Sequence, residues 1–109
     1  MSDDAGSWKA VTLAEMKRII EEELCQCTPE DFALFDKIRI EPEKIPFDRG
    51  SFVEEVFVVA RQGEKLVFFD DIEDGFEVAT TDDDGVIRRA GVGHFDLCHA
   101  LAHIRLGWR

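Results

Sequence analysis

Val56-Phe57-Val58-Val59-Ala60, followed after a polar break by Leu66-Val67-Phe68-Phe69, is the stretch on which the fold turns. Successive side chains of a strand point to opposite faces, so a strand with one wet face alternates apolar and polar residues. Neither run alternates. Gln62-Gly63-Glu64 between them has hairpin chemistry, which makes the two runs neighbouring central strands with both faces buried.

Outward from this pair the pattern changes. Phe76 to Thr81 alternates, Asp83-Asp84-Gly85 is a turn, and Val86 to Val92 supplies a last strand broken by Gly91 and Gly93. On the other side, Lys37-Ile38-Arg39-Ile40-Glu41 alternates cleanly and is expected to be a strand stopped by Pro42 and Pro46. Thr12-x-x-Glu15 is a capping box, and Leu13, Met16, Ile20, Leu24 and Cys27 form one stripe of a helix running to about Cys27. Thr28-Pro29-Glu30-Asp31 restarts the chain as a short helix through about Phe35, with Phe32 and Phe35 turned inward. A closing helix is expected from about His94 to Leu106, with Gly107 as its stop. Trp8 and Trp108 flank the regular elements and are expected to pin the termini.

This order predicts one α+β domain over residues 1–109, with a polar tail over about 1–7. Its expected architecture is a two-layer sandwich, an antiparallel meander of four or five strands flanked by an N-terminal and a C-terminal helix. Both helices then cover one sheet face. The other face is apolar and needs a cover, supplied by a helix on each side, by curling of the sheet, or by another chain. A homodimer is expected on that ground.

Composition narrows the function classes. With 45% hydrophobic residues the 109-residue chain can bury a core despite 34% charged residues. No apolar run is long enough to span a bilayer, and no apolar leader is seen. Cys25 and Cys27 are too close to bridge comfortably, and three cysteines are an odd number. A cytoplasmic protein without membrane association is expected. The formal net charge is −11, from 24 acids against 13 Lys plus Arg. Such a surface repels phosphate backbones, so no nucleic-acid partner is expected.

The charge is not spread evenly. Residues 70–84 carry eight acids and no base, whereas residues 85–109 carry one acid and four arginines. Asp70, Asp71, Glu73, Asp74, Asp82, Asp83 and Asp84 mark two acidic turns, the expected contact points for a basic protein partner. A cation site is weaker on these residues, because their spacing does not match a twelve-residue calcium loop. In the closing helix Asp96, His99 and His103 share one face at spacings of three and four, a candidate set of metal ligands. Cys27 and Cys98 are read as structural, each on an apolar stripe or at its edge.

No nucleophile elbow, phosphate-binding loop or catalytic triad pattern is present, and no cofactor is implied. The chain is therefore read as a non-enzymatic acidic interaction module, binding a basic partner or itself through acidic turns and an apolar sheet face. The alternative is a small-ligand or divalent-metal-binding protein using a cavity or the histidine face.

Overall fold

In the computed structural model, residues 11–70, 72, 74–90 and 96–107 are described. The elements run α1 (Leu13–Leu24), α2 (Pro29–Ile38), β1 (Arg39–Asp48), β2 (Val53–Gln62), β3 (Lys65–Asp70), β4 (Gly75–Thr81), β5 (Ile87–Ala90) and α3 (Leu97–Arg105). The expected tail, Trp8, Trp108, Gly91 to Gly93 and His94 lie outside the described residues. Among the described residues, no helix is long and apolar enough to cross a membrane.

α1 begins at its capping box. Glu15 N donates to the Thr12 hydroxyl at 3.1 Å, and Thr12 N donates to the Glu15 carboxylate at 2.8 Å, which satisfies two of the orphan amides of the first turn. Met16, Ile20 and Leu24 are buried, while Leu13 at the head of the stripe is exposed. The helix stops at Leu24, short of Cys27. Thr28 caps α2 by accepting from Asp31 N at 3.1 Å, and Pro29 opens it. This helix continues past Phe35 because Ile38 is the next position on the buried face. Phe32, expected inward, is exposed; Asp31 is buried instead and accepts from Arg105 Nε at 2.8 Å.

The five strands close into a barrel in the order β1-β2-β3-β4-β5. The open two-layer sandwich expected from the sequence does not form; what remains true of it is the α+β class and a sheet whose neighbours are mostly antiparallel. An odd number of strands in an up-and-down meander leaves the first and last running the same way. The closing pair must then be parallel, as it is at Phe47 and Ile87. Arg88, next to that pair, donates from Nη1 to Asp48 Oδ2 at 2.8 Å and from Nε to the Asp82 carboxylate, tying the β4–β5 turn across the seam.

Two features explain why closure replaces an open sheet. Pro42 and Pro46 do not stop β1, which runs through both to Asp48. Among the described residues β1 is registered to β2 along most of its length and to β5 only at Phe47, which leaves it close to an edge strand, where prolines are tolerated. The strand is thereby long enough to bend round to β5. Register also shifts in three ladders, between Arg39 and Glu43, Val58 and Ala60, and Thr80 and Thr81. Such irregularities bend a strand and increase its twist.

The double-faced strands now have an account. Val56, Val58, Leu66 and Phe68 point into the barrel with Phe47, Ala79 and Ile87, and the Phe47 and Phe68 rings meet edge to face at 5.2 Å. Phe57, Val59, Ala60, Val67, Phe69, Phe76 and Val78 point outward beneath the three helices, against Met16, Ile20, Phe35, Leu97 and Leu101. Val59 and Ala60 both join this outer cluster, although strict alternation would separate them. The register shift between Val58 and Ala60 supplies the extra residue. The sheet face that seemed to call for a second copy of the chain is the barrel interior.

Candidate functional site

The acidic residues fall into two groups by what their carboxylates do. Asp70 is 1% exposed. Its Oδ1 accepts from Arg49 Nη2 at 2.7 Å and from Ile72 N at 3.1 Å, and Arg49 Nε donates to Glu54. The Arg49 guanidinium lies 4.5 Å over the Phe47 ring. Burial works against the Arg49 cation, but its hydrogen bonds to Asp70 and Glu54 more than offset this and raise its pKa. These contacts lock the β1–β2 connection to the end of β3.

Asp82 is similarly engaged. Its Oδ1 accepts from Asp84 N at 2.9 Å and Val86 N at 3.0 Å, shaping the turn that Gly85 completes at φ 78. The hydrogen bond from Arg88, then that from Val86 N, holds the Asp82 carboxyl below the usual range. Asp83 and Asp84 are exposed on the same turn. Glu77 is buried within β4, opposite Phe68. Asp71 and Glu73 lie outside the described residues.

Asp74 is exposed and adopts the left-handed conformation at φ 61, which Asp tolerates better than most side chains. It stands on the rim of a groove of about 320 Å³ between α1, the start of β4 and the residue capping α3. Glu22 and Glu23 of α1 and Asp96 complete an acidic rim, the half-buried Ile19 supplies apolar wall, and Phe69 and Phe76, 4% and 1% exposed, back it from the core. Phe69 and Phe76 meet edge to face at 5.1 Å, which fixes the shape of that backing.

The groove is held together by its own carboxylates. Glu23 reaches across to α3, where its Oε1 accepts from Leu97 N at 2.8 Å. Asp96 caps the same helix by accepting from His99 N at 2.9 Å. Two anionic groups thus satisfy the positive end of α3. Nothing in the spacing of α1 brings Glu22 or Glu23 toward Asp96, 73 residues beyond Glu23 in the chain. Their convergence depends on α3 packing beside α1, which no local pattern specifies.

Of the candidate metal ligands, Asp96 and His99 meet, with His99 Nδ1 2.9 Å from Asp96 Oδ1. The His99 side chain is 73% exposed, and His103 is half-buried one turn further along. Among the described residues, no group of three or more His, Cys, Asp or Glu side chains is arranged to hold a metal ion.

Cys27 and Cys98, read separately as structural, are brought together. Their sulfurs lie 2.6 Å apart, with both half-buried and Cys25 exposed. Burial first, then the contact with Cys98 and the nearby charges, pushes the Cys27 thiol from its ordinary value of 9.0 up to about 12. Burial raises Cys98 as well.

Comparison of the chain with protein-family models, curated proteins and solved structures found no significant match.

Proposed function

We propose that this protein is a non-enzymatic acidic interaction module that takes a basic protein partner at the groove between α1, β4 and α3. The observation that carries this reading is the pairing of an acidic rim, Glu22, Glu23, Asp74 and Asp96, with a half-buried Ile19 that is backed by the packed Phe69 and Phe76. Lys and Arg side chains have an apolar stem and a charged head, so each part meets its complement there. Asp83 and Asp84, exposed on the β4–β5 turn, add to the field that draws a cation toward the surface. The acidic turns of the sequence reading thereby divide into anchors of the fold, Asp70 and Asp82, and contributors to attraction, Asp74, Asp83 and Asp84.

Fluorescence anisotropy with a labelled Lys/Arg-rich peptide tests this reading. Binding should weaken with added salt, and Glu22→Lys combined with Asp74→Asn should lower affinity about tenfold or more. Asn is chosen at position 74 because it also accepts the left-handed backbone. Asp83→Lys combined with Asp84→Asn changes total charge equally at the distant turn and should cost less. Equal losses from the two variants would show attraction to bulk charge with no groove involved.

A further inference from the structure

We propose that Cys27 and Cys98 are a dithiol–disulfide couple, a redox modification site that cross-links the α1–α2 connection to the first turn of α3. The sulfurs are 2.6 Å apart, about half an ångström beyond the roughly 2.05 Å of a covalent S–S bond. Both also converge on one acceptor. Cys27 Sγ lies 3.6 Å and Cys98 Sγ 3.8 Å from the Glu23 carbonyl oxygen, while the Glu23 side chain holds Leu97 N, the residue before Cys98. The two thiols are therefore held by backbone that is fixed on both sides. Cys25 turns away and donates to Glu21 O at 3.4 Å on the exposed side of the helix end. An odd cysteine count thus resolves into one apposed pair and one exposed thiol.

The oxidant class is a small-molecule disulfide. One thiol of the pair attacks it through its thiolate, a minor form because burial raises both thiol pKa values; the small S–S bond breaks, a mixed disulfide forms and one small thiol leaves. The second cysteine attacks the protein sulfur of that mixed disulfide, forms the Cys27–Cys98 bond and expels the second small thiol. Two electrons pass from the protein dithiol to the small disulfide, and the two protons leave on the two small thiols. The closed loop spans most of the chain, so the cross-link restricts the unfolded state strongly.

The test treats the full chain with oxidised glutathione, alkylates remaining thiols and digests with trypsin. Cys25 and Cys27 fall on one tryptic peptide, so variants make the assignment. The expected result is a monomer with one internal disulfide joining residues 19–37 to 90–105, formed equally in Cys25→Ser and absent in Cys27→Ser and Cys98→Ser. Reduction should lower the melting temperature by on the order of 10 °C. Because Cys25 is exposed, Cys25→Ser keeps the fold and carries the decision even where the other variants do not fold. A Cys25→Ser chain in which Cys27 and Cys98 are both alkylated after oxidation, or carry only mixed or intermolecular disulfides, overturns the proposal.

Discussion

Arg49 Nη2 donates to Asp70 Oδ1 at 2.7 Å, joining the connection after β1 to the last residue of β3. The two side chains are 16% and 2% exposed, so this pair is shielded from solvent in a way that Asp74, Asp82, Asp83 and Asp84 are not. Removing one member leaves the other charge buried. Asp70→Ala should therefore destabilise the protein by about 3 kcal/mol in urea melts, whereas Asp83→Ala at an exposed position should stay within about 0.5 kcal/mol. Similar effects from both would place Asp70 on the open surface.

Closure of the barrel rests on the parallel contact between Phe47 and Ile87. Short interproton distances between the backbones of these residues should appear in nuclear Overhauser spectra, and an open sheet would lack them. The interior gives a second check. Phe68 is fully buried against Phe47, and Phe68→Ala should cost about 3–5 kcal/mol through lost burial and a cavity. Val53→Ala, at a position 60% exposed, should cost little.

How much of this was legible follows from where each signal resides. Caps are local, so Thr12 with Glu15 and Thr28 with Asp31 announced the starts of α1 and α2. The apolar runs of β2 and β3 announced two buried faces. What they did not announce is that one of those faces is a barrel interior, because closure depends on the length of β1 and on register shifts near Arg39, Val58 and Thr80. Pro42 and Pro46 were misleading because their cost depends on whether β1 has neighbours on both sides. The groove was less legible still. Asp74 and Asp96 stood out separately, for charge and for helical spacing, but Glu22, Glu23, Phe69 and Phe76 join them only through tertiary packing.

The raised thiol pKa values carry a pH dependence of definite sign. In the unfolded chain Cys27 deprotonates near its ordinary 9.0, while in the folded chain it holds its proton to about 12. Between these values the folded state binds more protons. The associated stability is complete below pH 9 and is lost as pH rises through the window up to about 12. Reduced protein should thus show a urea midpoint falling more steeply between about pH 8.5 and 10.5 than Cys27→Ser does. The chain has no tyrosine, so thiolate absorbance can be followed without phenolate interference. Parallel slopes for the two proteins would remove the Cys27 contribution.

The groove is tested most directly by amide chemical-shift mapping of the isotopically labelled protein during titration with a Lys/Arg-rich peptide. The expected perturbations centre on Ile19, Glu22, Glu23, Phe76 and Asp96, saturate with peptide, and disappear when Glu22→Lys is combined with Asp74→Asn. Shifts confined to Asp83, Asp84 and Gly85, or a spectrum unchanged by the peptide, would contradict a partner site between α1, β4 and α3.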